Sequence, residues 1–335
     1  MLAKKHPFFE HSDAEFFLAR RGGRVVGRLS VQENTRYNAH QRMHGAHFYF
    51  FDAEDDPEAV TGLFEAARSW ARGRGLDTLM GPFGLGGSTG NGILVDGFEH
   101  TAAMTKMGWN PPYYARLLEG AGFAKHFELY SAHLDGSTFR LPDRIRSVAE
   151  HVLARKRFSV LRFRSKAELK KLAGKIGEVY NVSLAADPTH RDAYPLTPAE
   201  LKLATNDIMT VADPQLIKVL AYDGEIVGFV FGFADVSKTL KRNDGRIGPI
   251  AILRLLRALR TAPDLIIDGA GIMPKYQRLG GNALLYATLE ETARARAFHS
   301  VDLVQVADTT GLMLSDIQTL GGTVWKTHRV YTRAV

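Results

Sequence analysis

The sequence contains no cysteine among its 335 residues. Without thiols the chain can form no disulfide bond, offers no thiolate ligand to a metal, and has no cysteine nucleophile. A chain without cysteine is also typical of a reducing compartment, so we expect a cytoplasmic location.

Long apolar runs are absent as well. After the charged residues 1–5, the first apolar pair is only Phe8-Phe9. No stretch approaches the roughly 20 apolar residues of a membrane-spanning helix or the core of a signal peptide. We therefore expect no membrane span and no secretory leader. The net charge of +7 is modest; it favours anionic ligands without indicating nucleic acid.

Two short segments recur at one offset. Residues 23–27 (Gly-Arg-Val-Val-Gly) resemble residues 224–228 (Gly-Glu-Ile-Val-Gly), and residues 125–130 resemble residues 326–331. Both matches have an offset of 201 residues (27 to 228 and 125 to 326). A repeat at one offset predicts two halves with the same order of elements.

Hydrophobic periodicity gives each half the same predicted order: a β-hairpin, a strand–helix–strand unit, a short helix and a last strand. The first half ends in a predicted hairpin that contains residues 127–134. We predict an α/β fold with mixed sheets. The first domain spans residues 1–138 and the second residues 139–335, because Asp-Gly-Ser-Thr at 135–138 interrupts the pattern.

A glycine-rich turn follows a strand in the second half. Residues 268–283 read Asp-Gly-Ala-Gly-Ile-Met-Pro-Lys-Tyr-Gln-Arg-Leu-Gly-Gly-Asn-Ala. A glycine turn that enters a helix directs several N–H groups at one point, and the helix dipole favours negative charge there. This order predicts a diphosphate-binding turn, to which Lys275 and Arg278 add positive charge.

This segment resembles the signature of the GNAT superfamily of acyltransferases, in which a strand and a proline precede (Gln/Arg)-x-x-Gly-x-(Gly/Ala). The signature fits from Gln277, with Asn282 as its last residue, or from Arg278, with Ala283. We favour the first, because its distance from Pro274 is the usual one. The resemblance implies a site for acetyl-CoA or another acyl-CoA, formed by Gly271, Ile272, Met273, Gln277, Arg278, Leu279, Gly280, Gly281, Asn282, Ala283 and Asp308.

The first half looks like a second, degenerate GNAT domain. Its strand at 46–51 leads into Asp-Ala-Glu-Asp-Asp-Pro at 52–57, where four carboxylates would repel a diphosphate. We therefore expect one cofactor per chain, with the first half on the acceptor side. The whole chain is similar to tandem-GNAT bacterial proteins. FemABX transferases and N-myristoyltransferase share the paired architecture, but no motif of either is present.

The resemblance implies an N-acetyltransferase that transfers an acetyl group from acetyl-CoA to the amine of a small molecule or peptide, without a metal. Asp268, on the motif strand among apolar residues, is the candidate base. Many GNAT members place a tyrosine acid in the helix after the next strand, but residues 308–315 contain none. Ser315 is the candidate acid; Tyr286 and water are alternatives.

Two segments of the first half are candidate substrate walls. Residues 81–91 (Gly-Pro-Phe-Gly-Leu-Gly-Gly-Ser-Thr-Gly-Asn) follow a strand directly, and loops at strand ends often carry sites. Ser88 and Asn91 are their candidate polar groups, and Tyr113 represents the second wall at 109–114. The alternatives are a flexible loop and simple packing.

Three histidines, His40, His44 and His47, lie near a strand start without paired carboxylates. We interpret them as solvated loop residues and not as metal ligands.

A basic insertion at residues 238–242 is followed by a helix-like stretch at 250–259. Arg254, Arg257 and Arg260 recur every three residues with leucines between them. The favoured interpretation is an amphipathic helix that packs across the two domains; the alternative is contact with an anionic substrate or membrane surface.

Two other functions remain open: a noncatalytic CoA-binding sensor or scaffold, which the missing tyrosine favours, and a FemABX-like aminoacyl transferase whose basic insertion contacts tRNA. The intact glycine turn favours CoA.

Overall fold

The computed structural model describes residues 4–85, 90–102, 107–183, 189–191, 193–244, 246 and 248–335. In these residues the strands are β1 (Asp13–Arg21), β2 (Arg24–Glu33), β3 (Gly45–Ala53), β4 (Thr78–Gly81), β5 (Ile93–Asp96), β6 (Ala124–Asp135), β7 (Phe158–Leu161), β8 (Ile217–Tyr222), β9 (Glu225–Ala234), β10 (Asp264–Ile272), β11 (Ser300–Ala307) and β12 (Thr323–Ala334). The helices are α1 (Thr35–Gln41), α2 (Pro57–Arg72), α3 (Tyr113–Gly120), α4 (Asp143–Ala154), α5 (Lys166–Ser183), α6 (Pro198–Val211), α7 (Ser237–Arg242), α8 (Pro249–Thr261), α9 (Gly281–Ala295) and α10 (Gly311–Thr319).

The strands of both halves form one mixed sheet, which confirms the predicted α/β class. Its order is β1-β2-β3-β4-β12-β6-β11-β10-β9-β8-β7, and β5 pairs with β12. Helices cover both faces, as a sheet buried on both sides requires. None of the described helices has the length and apolar character needed to cross a bilayer.

The last strand of each half pairs with the sheet of the other half. β12, at the end of the chain, runs antiparallel to β4, with Tyr331 opposite Gly81. β6, from the first half, runs antiparallel to β11, with Ser300 opposite Asp135. The predicted hairpin at residues 127–134 is therefore wrong: β6 is a single strand whose partners lie in the second half. The domain boundary at residue 138 falls between β6 and α4 and stays a prediction.

A local pseudo-twofold axis relates the two halves where β6 and β12 pair. The offset of 201 maps Glu128 onto Arg329, and the antiparallel ladder pairs these same two residues. The guanidinium of Arg329 donates hydrogen bonds of 2.9 and 2.7 Å to one carboxylate oxygen of Glu128. Equivalent positions thus carry opposite charges, and they attract each other across the axis.

The equal offset at both ends of the repeat results from two compensating insertions. The second half inserts α7 and α8 between β9 and β10. The first half inserts β5 and its flanking loops between β4 and α3. The insertions lie in connections, where added length costs little stability, so the order of elements in the two halves is preserved.

Helix α2 shows how the sequence specifies the core of the first half. Asp56 caps its N-terminus by accepting a 3.1 Å hydrogen bond from the amide of Ala59, and Pro57 occupies the first turn. The apolar residues Val60, Leu63, Phe64, Ala67 and Ala71 share one buried face. They pack against β2, β3 and β4 in the main cluster of this half.

Helices α5 and α6 link the two halves. Thr197 and Glu200 form a capping box at the start of α6. The Glu200 carboxylate also accepts a 2.8 Å hydrogen bond from the Tyr194 hydroxyl and lies 3.2 Å from His11 Nε2, near the start of the chain. The first half therefore holds the helices that cover the second half's sheet.

The expectation of solvated histidines is wrong for His47. Its side chain is buried in β3 and stacks on the Phe83 ring at 5.1 Å. Burial lowers the pKa of His47 to about 3, so the ring is neutral at physiological pH and acts as a core residue.

We predict that Glu128→Gln lowers the free energy of unfolding by about 2 kcal/mol at pH 7, because it removes a charged acceptor. Burial alone would raise the pKa of Glu128, but hydrogen bonds from Lys125 and Arg329 outweigh burial and lower this pKa below 4.5. The stabilisation is therefore present above pH 4.5 and is lost as pH falls through the folded-state pKa.

Urea unfolding of both proteins from pH 7 to pH 3 measures this effect. The wild-type and variant stabilities should converge at acid pH. A difference that stays constant with pH would show that the Glu128 charge does not stabilise the pairing of β6 and β12.

Candidate functional site

Strands β10 and β11 separate in the middle of the sheet. They pair in parallel from Asp264 and Ser300 to Ile267 and Leu303, and no ladder is present beyond that point. Each strand carries a bulge there. The β10 register against β9 shifts between Ile267 and Ala270, and the β11 register against β6 shifts between Leu303 and Val306. Bulges bend strands, so a gap opens between their carboxyl ends.

Unusual backbone conformations mark both bulges. Gly269 has a φ of +110°, and Gln305 has a φ of +54° although it is not glycine. Such strain persists only where surrounding contacts fix it. At Gln305 the side chain supplies them: its oxygen accepts a 2.9 Å hydrogen bond from the Asn91 amide, and its nitrogen donates a 2.7 Å bond to the Asn91 carbonyl.

A cavity of about 620 Å³ lies on the face of the sheet that α5 and α6 cover. Its walls are mainly apolar. The apolar residues include Leu169, Ile176, Leu196, Leu201, Ile208, Met209, Ile217, Phe231, Phe233, Leu240, Leu255, Ile266, Val304 and Met313. Alkyl groups inside would lose contact with water, so this cavity suits an aliphatic ligand.

The gap between β10 and β11 borders cavities on both faces of the sheet. A smaller cavity of about 80 Å³ lies between the sheet and helices α9 and α10. Both cavities are lined by the same residues at the gap, namely Gly269, Ala270, Val304, Val306 and Met313. The two cavities therefore border the same stretch of the separated strands, one on each face of the sheet.

Three carboxylates of the described residues line the larger cavity. Asp268 lies on the β10 bulge and lines this cavity at the gap, together with Asp207, Asp235 and His190 elsewhere on its wall. Burial raises the pKa of Asp235, and its carboxylate accepts a 2.8 Å hydrogen bond from the Ser237 amide. Asp268 is the carboxylate among these on the strand that leads to the glycine turn.

The predicted phosphate turn lies at the N-terminus of α9. Residues Pro274–Tyr276 form a short 3-10 turn, and α9 begins at Gly281. No described residue accepts a hydrogen bond from the amides of residues 278–283. The side chains of Lys275, Arg278 and Asn282 are exposed beside these amides. An open helix N-terminus flanked by cations suits a diphosphate.

The two signature registers differ in their side chains. Gln277 donates a 3.0 Å hydrogen bond to the Ile272 carbonyl and so closes the turn, whereas the Arg278 side chain is exposed. Gly280, immediately before the helix, has a φ of +86°, a left-handed backbone conformation that favours glycine. Gly280 is the glycine of the signature when the signature is read from Gln277. This geometry supports that register.

Both turn glycines also have packing roles. A β-carbon on Gly280 would lie 2.6 Å from the Val152 side chain of α4, and one on Gly281 would lie 2.6 Å from the Leu220 side chain of β8. Both distances are shorter than real contacts allow. Substituting either glycine would therefore force a neighbouring side chain to move, whatever its effect on an anion.

The candidate acids occupy different surroundings. Ser315 is exposed on α10 and lines neither cavity. Tyr286 of α9 lines the smaller cavity and donates a 2.7 Å hydrogen bond to Asp316. Burial and the Asp316 carboxylate raise the pKa of Tyr286 well above its ordinary value, so its hydroxyl stays protonated. The geometry favours Tyr286 over Ser315.

The remaining predicted site residues are dispersed. Asn91 borders the larger cavity, whereas Tyr113 lies in the first-half core and donates a 3.0 Å hydrogen bond to the Ala53 carbonyl. Asp308 follows β11; its amide donates to the Glu128 carbonyl at 2.8 Å. Ser88 lies outside the described residues.

The corresponding turn of the first half is filled by ion pairs. Asp52, Glu54, Asp55 and Asp56 pair with Arg28, Arg24, Arg116 and Arg21, respectively. Asp56 also caps α2, where a phosphate would otherwise bind. Protein carboxylates occupy this helix N-terminus, so the first half is a degenerate copy, as predicted.

Sequence reasoning missed Gln305 and the cavity-lining role of α5 and α6. Gln305 gave one signal, since it is a polar residue in the apolar strand Val-Asp-Leu-Val-Gln-Val-Ala. The apolar residues of α5 follow helical spacing, but no local pattern indicates that its apolar face borders a cavity.

Comparisons with known proteins agree with this architecture. No family model matches the chain. It is 29% identical over 344 residues to the bacterial ceramide synthase of Caulobacter vibrioides, covering 99% of this chain and 86% of that protein. It is 22% identical over 341 residues to protein YghO of Escherichia coli, covering 100% of this chain and 85% of that protein.

Among solved structures, a tandem GNAT protein from the clavulanic acid biosynthesis pathway matches with a TM-score of 0.53 at 14% identity, covering 98% of this chain and 84% of that one. A GCN5-related N-acetyltransferase from Sphaerobacter thermophilus matches with a TM-score of 0.51 at 14% identity. The match covers 96% of this chain and 80% of that one. The chain therefore has a tandem GNAT-like fold, as the resemblance implied.

We predict that Asn282→Asp separates anion binding from packing. Asn282 is exposed in the first turn of α9, where a carboxylate stabilises the helix by about 0.5 kcal/mol. The same charge should repel a diphosphate and weaken CoA binding about tenfold. Titration calorimetry and thermal melting measure the two effects, and Asn282→Gln is the neutral control. Equal CoA affinity in all three proteins would contradict an anion site here.

Proposed function

We propose that the chain is an acyl-CoA-dependent N-acyltransferase. The observation that carries this proposal is the gap between β10 and β11, which opens beside the turn before α9 and borders the large cavity. An acyl-CoA bound along this gap would have its diphosphate at the α9 amides and its acyl group at the cavity. The GNAT-like fold supports the same reaction class.

The residues present fit CoA at three points. The amides of residues 278–283 and the cations Lys275 and Arg278 suit the phosphates. Beyond Ile267, the β10 edge that faces β11 has no strand partner among the described residues. This edge, which extends past Gly271 to Ile272, suits the amide groups of the pantetheine arm, which can bond like an added strand. Two groups at its end already have partners: the Ile272 carbonyl accepts from Gln277, and the Met273 amide donates to the Val227 carbonyl at 2.9 Å.

The chain's own groups would move two protons. The bound cofactor supplies an acyl thioester. Asp268, at the gap, takes a proton from the acceptor ammonium, so that the nitrogen lone pair can form the new C–N bond. Tyr286, which lines the cavity on the other face of the sheet, would protonate the sulfur as the C–S bond breaks. The second proton that the nitrogen loses on becoming an amide would return Tyr286 to its protonated form, and Asp268 would release its proton to water. Cavity walls hold the acceptor against the thioester and exclude water.

The cavity also favours one class of substrate. An acetyl group, which the resemblance implies, would leave most of about 620 Å³ empty. Apolar walls of this extent fit a long alkyl chain on the acceptor, the donor or both. The relative named a ceramide synthase supports this choice, because a ceramide is an amide of a long-chain amino alcohol. We therefore propose a long-chain amine as the acceptor.

A noncatalytic CoA-binding sensor is the second candidate. The exposed position of Ser315, away from both cavities, favours it, because the helix position that often carries the GNAT acid has no group facing the gap. The sensor and the enzyme differ in one respect: a sensor binds acyl-CoA without consuming it.

We predict amide formation when the purified chain receives acyl-CoA donors from acetyl to palmitoyl and either sphinganine or a short polyamine, with products measured by mass spectrometry. Long-chain substrates should react fastest. Asp268→Asn should lower kcat about 100-fold with little change in CoA affinity. CoA binding without any product would support the sensor. Fastest turnover with acetyl-CoA and the polyamine would contradict the proposed substrate class.

A further inference from the structure

The second-half insertion presents an exposed surface that the reaction does not use. Helix α8 buries no residue fully, and its main contacts are to α7 and β9 of its own half. These contacts give no support to the interpretation that α8 packs across the two domains. Ile250 and Leu253 are 67% and 68% exposed, and Leu256 is 56% exposed. We call the outward side, formed by Ile250, Ile252, Leu253, Leu256, Arg257 and Arg260, the α8 face.

Positive charge surrounds these apolar side chains. Residues 237–261 contain seven basic residues and one acidic residue, Asp244, in a chain whose net charge is +7. Arg254 donates a 2.9 Å hydrogen bond to Asn243. Within the described part of the chain, Arg254, Arg257 and Arg260 form no ion pair. Their charges are thus available to an external anion.

The α8 face lies on the outer side of a cavity wall. Leu255, on the inner side of the same helix, and Leu240 of α7 both line the larger cavity. A helix with its side chains is about 10 Å thick. A partner bound to the α8 face would therefore lie roughly one helix diameter from the apolar cavity.

We propose that the α8 face docks on an anionic lipid bilayer, with α8 lying in the plane of the interface. Its leucines and isoleucines would enter the acyl region, while the arginines contact lipid phosphates and keep their charged ends in water. A nucleic acid would account for the arginines but not for four exposed aliphatic side chains. A second copy of the face in a twofold dimer would place arginines against arginines.

Docking is independent of the proposed reaction, because vesicle binding requires no turnover. If both hold, a long-chain amine could pass from the bilayer to the cavity beside α8. Failure of one proposal therefore does not decide the other: vesicle binding tests the surface, and product formation tests the site.

The test is co-sedimentation of the full chain with vesicles of phosphatidylcholine alone or mixed with phosphatidylglycerol. We expect wild type to bind the anionic vesicles about tenfold more strongly. Leu253→Glu/Leu256→Glu should weaken binding to them at least about tenfold. Arg254→Gln/Arg257→Gln/Arg260→Gln should remove the preference for anionic lipid. Leu18→Glu, at an equally exposed leucine of β1, is the matched control and should bind like wild type.

A second readout does not depend on loss of binding. The fluorescence of Ile252→Trp should be quenched by brominated acyl chains in anionic vesicles, and that of Leu18→Trp should not. The proposal is overturned if wild type does not sediment, if the α8 variants bind like wild type, or if the tryptophan introduced by Ile252→Trp is not quenched. It is also overturned if the wild-type protein binds RNA or forms a dimer, the α8 variants abolish that binding, and no vesicle binding is detected.

Discussion

The separation of β10 and β11 is the constraint on which the rest of this molecule depends. Two parallel strands that stop pairing inside a sheet leave backbone N–H and C=O groups without strand partners, and buried groups of this kind require other partners. Here the separation is fixed by a bulge on each strand, and the Gln305–Asn91 hydrogen bonds hold the β11 bulge. The cavities, Asp268 and the turn before α9 are all positioned by this gap.

Strand exchange gives the first half, in which Asp56 caps the N-terminus of α2, a structural role in the candidate site. The first half supplies β6, the strand that flanks β11, and the Asn91 backbone that binds Gln305. It also anchors α6, the helix over the cavity, through Glu200. In return β12 completes the sheet of the first half beside β4. The site therefore belongs to both halves, although the open helix N-terminus lies in only one.

Local signals predicted the elements but not their partners. Hydrophobic periodicity placed β3 and α8, predicted at residues 46–51 and 250–259, close to their observed bounds, because periodicity depends on neighbours in sequence. The β6–β12 exchange was missed because a strand pattern shows which face is buried and not which strand lies alongside it. His47 was misjudged for the same reason, since the burial of a side chain is decided by distant elements. The glycine motif has an open helix N-terminus, and its two glycines also pack closely against α4 and β8. The local sequence could not predict this packing, because α4 and β8 are distant in the chain.

Hydrogen–deuterium exchange with and without a nonhydrolysable acyl-CoA analogue tests the central claim most directly. We predict slower amide exchange at residues 268–273 and 278–283, where the β10 edge and the α9 N-terminus would hold the ligand. Exchange should not change at residues 52–57, the equivalent turn of the first half that carboxylates occupy. Unchanged exchange at 268–273 and 278–283 at saturating ligand would contradict a ligand site at the gap.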